Sequence, residues 1–181
     1  MDSVGELVKF DCSNNDLMTL DVSQCFKLEE LNCSGNQLME LDVGHQTQLT
    51  QLDCSNNKLT ELNVKQNGGL ISLICNDNQL TTLDLSQNHS LSKLNCAKNR
   101  LACVDVTGIS GGTITANGNR RPIAVRTDGK FDLTTLPGFD VGKATNWNGG
   151  SVSGTILTVE NGKDEVSYQY NCGNGVKPTF I

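Results

Sequence analysis

Apolar residues recur along the first hundred positions at a spacing that is neither helical nor simply alternating. They stand at Leu7, Leu28, Leu49, Leu70 and Leu91, at Phe10, Leu31, Leu52, Leu73 and Leu94, and at Leu17, Leu38, Leu59, Leu80 and Leu101, each column advancing by 21 residues. Cysteine keeps the same step at Cys12, Cys33, Cys54, Cys75 and Cys96, and asparagine at Asn15, Asn36, Asn57, Asn78 and Asn99. A fixed period of this length marks a stack of like supersecondary units that share one continuous core. Around each cysteine the pattern alternates: Leu31 and Cys33 point inward while Glu30, Asn32 and Ser34 point outward, which predicts one short strand per unit. The second half of the unit, as in LMELDV, alternates again with Leu41 and Val43 inward and Asp42 outward. An extended return is predicted there, not a helix.

The unit L-x-x-L-x-C-x-x-N-x-L-x-x-L-D-V runs over about residues 7 to 106 and resembles the leucine-rich repeat, with cysteine in place of an inward leucine. The expected fold is a leucine-rich repeat solenoid with a parallel β-sheet on the concave side, an extended convex side and little helix, closed by a small C-terminal β cap domain. Successive coils in such a stack lie ~4.8 Å apart, so like residues sit over like. Free cysteine packs as a small apolar side chain, which suits the narrow interior of a 21-residue coil. A disulfide or metal ladder is the rival reading, but parallel Cβ vectors at ~4.8 Å match poorly the ~3.8 Å of a bridge. The asparagine amides are expected to satisfy backbone groups left unpaired where the chain turns out of the strand.

A cysteine ladder in 21-residue units is similar to that of bacterial internalins of the internalin J type. The resemblance implies a curved right-handed solenoid on a secreted or cell-surface bacterial protein used for adhesion or binding. The start, MDSVGELVKF, has neither the basic nor the apolar region of a signal peptide. The chain is therefore expected to be either intracellular or a mature protein whose leader has been removed; the resemblance favours the extracellular or cell-surface reading.

Solenoids commonly bind on the concave sheet. Its outward columns are Lys9, Glu30, Gln51, Ser72 and Lys93, then Asp11, Asn32, Asp53, Ile74 and Asn95, flanked by Ser13, Ser34, Ser55, Asn76 and Ala97. The first ten are the candidate binding residues, for a protein or glycan ligand. None of these side chains is aromatic or arginine, the usual interface anchors, and Ile74 is the one apolar member of a column of Asp and Asn. On the convex side, Asp21, Asp42, Asn63, Asp84 and Asp105 form a column whose carboxylates repel at ~4.8 Å. A bound cation would relieve that, but the favoured reading is that each carboxylate caps nearby donors, such as those of Ser23 and Ser86, as Asx turns do. No metal site or cofactor is expected.

The period fails after Val106, which divides a solenoid at 1–106 from a β-rich capping module at 107–181. TITANGN and RPIAVRT fit degenerate coils, and FDLTTLPGFDVGKATNW reads as a loop with at most a helical turn over 141–145. SVSGTILTV, EVSYQYNC and KPTFI each read as a strand, with turns at Asn161-Gly162 and Asn174-Gly175. Val166, Tyr168, Tyr170 and Cys172 share one strand face, assigned to packing in preference to an aromatic sugar-binding platform with Trp147. Cys25 reads as a lone thiol, whereas Cys103 in the last coil and Cys172 in the covering module are placed where a disulfide is geometrically possible.

Charge narrows the partner. The chain has 14 basic against 20 acidic side chains, a net charge of −6, so no nucleic-acid partner is expected. No stretch approaches the ~20 apolar residues of a membrane span, so no membrane insertion is expected. Catalysis has little support. His45 and His89 occupy different repeat positions, Cys25 with either is the one conceivable nucleophile pair, and no phosphate loop, zinc spacing or nucleophile elbow appears. The chain is read as a non-enzymatic binding module, with a structural spacer or cap fragment of a larger surface protein as the alternative.

Overall fold

The computed structural model describes residues 3–109 and 111–181. Six three-residue strands, β1 (Lys9–Asp11), β2 (Glu30–Asn32), β3 (Gln51–Asp53), β4 (Ser72–Ile74), β5 (Lys93–Asn95) and β6 (Thr113–Thr115), form one parallel sheet in chain order. Like residues lie opposite one another, so Phe10, Leu31, Leu52, Leu73, Leu94 and Ile114 make one inward file. The chain is a leucine-rich repeat solenoid. The convex return is extended and interrupted by turns, with Leu41 and Val43 buried and Met39, Glu40 and Asp42 exposed.

The cysteine ladder is an apolar file. Cys33, Cys54, Cys75 and Cys96 are fully buried, Cys12 at the first coil is half-buried, and all eight cysteines are free thiols. Burial pushes the Cys33 and Cys96 thiols up to about 12, so they remain neutral side chains of modest size.

The asparagine ladder ties each coil to the one before it. Asn78 Nδ2 donates to the Cys54 carbonyl of the preceding coil at 3.0 Å and to Cys75 of its own at 3.2 Å, while Oδ1 accepts the Leu59 N–H at 3.0 Å. Asn36, Asn57 and Asn99 repeat the arrangement. Asn119 continues it in a sixth coil, donating to Cys96 O at 3.2 Å and accepting the Leu101 N–H at 3.2 Å.

That sixth coil lies beyond Val106. Its step is 20 residues instead of 21, since Leu94 pairs with Ile114. Gly112 makes the shorter step possible: its φ is +93°, and a Cβ there would stand 1.8 Å from the Ser92 carbonyl oxygen. TITANGN is thus a coil, as its sequence suggested. RPIAVRT is not: it forms no strand, and the Arg121 N–H donates to the Ile181 carbonyl.

The remainder folds as two three-stranded antiparallel sheets. β7 (Lys130–Asp132), β10 (Ile156–Val159) and β9 (Gly150–Ser153) form one in that spatial order, and β12 (Thr179–Phe180), β11 (Ser167–Tyr170) and β8 (Ala144–Asn148) the other. Two sequence expectations are corrected here. SVSGTILTV is a hairpin, with Val152 opposite Leu157, because Gly154 takes a positive φ and turns the chain within a run of strand formers. FDLTTLPGFDVGKATNW is not a loop; it carries the end of β7 and most of β8. Between them lie 3-10 turns at Leu133–Thr135 and Val141–Lys143, where Asp132 and Asp140 side chains accept the Thr134 and Gly142 N–H groups.

This cap closes the solenoid end. Phe180, Tyr168, Tyr170 and Cys172 are buried, and rings of Phe139, Trp147, Tyr168, Tyr170 and Phe180 cluster with centroids 4.7 to 6.4 Å apart. The shared face of β11 therefore packs inward. Tyr168 Oη donates to Ala102 O at 2.6 Å, Asn174 Nδ2 to Val106 O at 2.7 Å, and the Val106 N–H to Cys172 O at 2.8 Å. Backbone and side-chain groups of the last coils thus find their partners in the cap.

Replacing Asn78 by leucine keeps the volume but strands the Leu59 N–H and removes one of the two amide donors to each of the Cys54 and Cys75 carbonyls, which Asn57 and Asn99 still hold. At about 1–3 kcal/mol for a buried unpaired group, urea unfolding should show a loss of about 1–3 kcal/mol. A second outcome concerns the positive-φ residue three positions after each strand of the parallel sheet: Asn14, Gly35, Asn56, Asp77, Lys98 and Gly118. Lysine is the member ill suited to this conformation, so Lys98→Asn should raise stability by about 1 kcal/mol. Unchanged or lowered stability would contradict that reading of the column.

Candidate binding surface

Parallel register gathers all ten predicted binding residues on the concave face. Lys9, Glu30, Gln51, Ser72 and Lys93 form one file and Asp11, Asn32, Asp53, Ile74 and Asn95 the next, each extended by a threonine of β6. They are not equally free. Asp11, Asn32, Asp53 and Asn95 accept the N–H two residues on, from Ser13 at 2.9 Å, Ser34 at 3.2 Å, Ser55 at 3.0 Å and Ala97 at 3.2 Å. These are Asx turns that steer the chain out of each strand. The Ser13 N–H and hydroxyl hold the Asp11 carboxyl below its ordinary range. Lys9 pairs with Glu30 at 2.6 Å, and Asn32 Nδ2 donates to Asp11 Oδ2 at 3.1 Å. By contrast, the side chains of Gln51, Ser72 and Lys93 make no hydrogen bond or ion pair among the described residues, and Ile74 has none to make.

The convex column spends its oxygens in the same way. Asp21, Asp42, Asn63, Asp84 and Asp105 accept the N–H groups of Ser23, Gly44, Lys65, Ser86 and Thr107 at 2.8 to 3.2 Å. With Glu40 and Glu61, the first four line a shallow groove of about 760 Å³. The Ser86 N–H, then Lys65 at 2.9 Å, bring the Asp84 carboxyl down to about 2; the Ser23 N–H lowers Asp21, and the Thr107 hydroxyl and N–H lower Asp105. Asx-turn capping, and not a cation, is the arrangement the donors support.

A second buried amide column was legible in the 21-residue step but escaped notice because its residue types vary. Cys25, Gln46, Asn67, Asn88 and Ile109 share it, and all five are buried. Gln46 Nε2 donates to Val22 O at 2.8 Å, Asn67 Nδ2 to Val43 O at 2.9 Å and Asn88 Nδ2 to Val64 O at 3.0 Å. Cys25 takes the place of the amide in the first coil, which explains its position without chemistry.

The thiols that sequence paired as a potential bridge are both free. Cys103 Sγ donates to Gly138 O at 3.3 Å and Cys172 Sγ to Tyr170 O at 3.6 Å. Cys103 lines a recess of about 530 Å³ with His89, Lys143 and Tyr170 where the solenoid meets the cap. Burial pushes its thiol up, whereas a nucleophilic cysteine needs the opposite shift.

No protein-family model matches this chain, and no curated protein matches its sequence. Its fold is similar to the functional domain of InlJ from Listeria monocytogenes, described as including a cysteine ladder. The TM-score is 0.59 at 20% identity, covering 99% of this chain and 63% of that one. It is also similar to the leucine-rich repeat protein LIC12759 from Leptospira interrogans, with a TM-score of 0.58 at 24% identity over 65% of this chain and 33% of that one. The chain therefore spans less than two thirds of either structure. Among the described residues no helix is long and apolar enough to cross a membrane.

The lowered carboxylates set a pH dependence. Their folded pKa values lie below the usual 3.8, so their contribution is complete above about pH 4 and is lost as pH falls toward 2. Unfolding free energy should decline across that window, with Asp84→Asn shallower than wild type. Calcium should leave the melting temperature unchanged; a calcium-dependent rise would restore the cation reading.

Proposed function

We propose that this chain is a non-enzymatic binding module that holds a protein or glycan partner on its concave sheet, as part of a bacterial protein that is secreted or displayed at the cell surface. The carrying observation is that the concave sheet, beside a file of Asp and Asn committed to its own turns, presents Gln51, Ser72 and Lys93 on adjacent strands with no side-chain partner among the described residues. Likeness to the cysteine-ladder domain of InlJ from Listeria monocytogenes supports the bacterial part of the reading, and the resemblance of the 21-residue units to internalins supports the surface part. The excess of acidic side chains leaves nucleic acid a poor partner.

An array of purified extracellular proteins and glycans, probed with the whole chain, tests this. A ligand lost in Lys93→Glu and kept in the convex variant Glu61→Lys is the expected result. Loss confined to the convex variant would move the site off the concave sheet, and silence across the array would favour the structural spacer.

A further inference from the structure

We infer that the partner docks on the fourth and fifth coils alone, and that it is a protein segment carrying an aliphatic side chain beside a carboxylate. This rests on the concave-face reading and locates it. The central observation is what Ile74 takes from the fold. At its position the other four repeat strands carry Asp or Asn, and each accepts the N–H two residues on. The fourth coil forgoes that turn, and Ile74 does not enter the core in exchange: it stays half-buried on the outward face. Ile71, three residues earlier, is 49% exposed. An isoleucine that surrenders a hydrogen bond made by its neighbours, without gaining burial, breaks the local rule where function is expected to do so.

Charge selects the partner. Lys93 lies on the next strand, opposite Ser72 and two residues before Asn95, the neighbour of Ile74. It makes no ion pair among the described residues, unlike Lys9, which Glu30 holds at 2.6 Å. On the other side of Ile74, Asp53 Oδ1 is bound by the Ser55 N–H and hydroxyl at 3.0 and 2.6 Å. The unspent groups are therefore the two isoleucines, one cation and the neutral side chains of Gln51 and Ser72, beside Asp53 and Asn95, whose oxygens already accept backbone N–H groups. A carboxylate satisfies Lys93, and an aliphatic side chain covers Ile74. A glycan offers no apolar group of that kind, and the patch has no aromatic ring on which a sugar could stack.

The test is a displayed library of random dodecapeptides selected against the full chain, with binders measured on four variants. Enriched peptides should pair Asp or Glu with Leu, Ile or Val. Ile74→Asn should weaken them at least about tenfold. The same substitution should leave the melting temperature unchanged or raise it by up to about 4 °C, because an amide there can accept the Asn76 N–H and donate to Asp53 as Asn32 does to Asp11. Lys93→Glu should abolish binding and regain it for peptides whose acid is replaced by lysine, whereas Lys9→Glu should have little effect. Binders that tolerate both Ile74→Asn and Lys93→Glu but fail on Lys9→Glu would overturn the placement while leaving the concave face as the site. Loss on Glu61→Lys alone would overturn both readings. Basic consensus peptides, or no binder beside a ligand found on the array, would overturn the partner class.

Discussion

The structure depends on one requirement: each coil must pass its unpaired backbone groups to the next. Strands of three residues supply few ladder hydrogen bonds, and the chain leaves the sheet immediately after them. The asparagine four residues past each repeat strand end meets this requirement by taking the carbonyls of two cysteines and the N–H of a leucine one coil away. Gln46, Asn67 and Asn88 tie the far side of the coil through their amide N–H groups alone, which donate to carbonyls of the preceding coil. Leucine and cysteine then need only fill the ring to the right volume. With both seams held, any coil of the right length can be added, which is why the sixth joins despite being one residue shorter.

Once the stacking is fixed, surface chemistry follows from which side chains the turns consume. Four of the five repeat strand exits and every convex corner use Asp or Asn as an acceptor for the N–H two residues on, Ile74 being the exception. Rows of carboxylates that resemble a cation site or an acidic binding surface are largely occupied by their own backbone. The concave face is left with few free groups, concentrated around Ile74 and Lys93, and the function proposed for the chain follows from that remainder.

The solenoid was readable because its chemistry repeats: Leu31, Cys33 and Asn36 recur with one step, and each recurrence supports the same assignment. The buried thiols and the extended convex return followed from side-chain size and alternation alone. Three features were not readable, each for a physical reason. The Gly154 turn lay inside a run of strand formers, and only the positive φ distinguishes it. The column through Gln46 and Asn67 was concealed because cysteine, glutamine, asparagine and isoleucine fill equivalent places. The concave residues could be placed on a face from sequence, but whether Asp53 or Asn95 had oxygen to spare depended on the conformation of the residues after them.

Amide hydrogen exchange at Leu38, Leu59 and Leu80 tests most directly whether the side-chain seam holds the stack. Each of these N–H groups is bound by the asparagine oxygen of the next coil at 3.0 Å and by no backbone carbonyl. If the seam carries the fold, the three should exchange together and only through global unfolding, as slowly as the amides within the strands. Exchange at the rate of solvent-exposed turn amides, while the strands stay protected, would show that the sheet stands without the asparagines and would contradict the central role given to them.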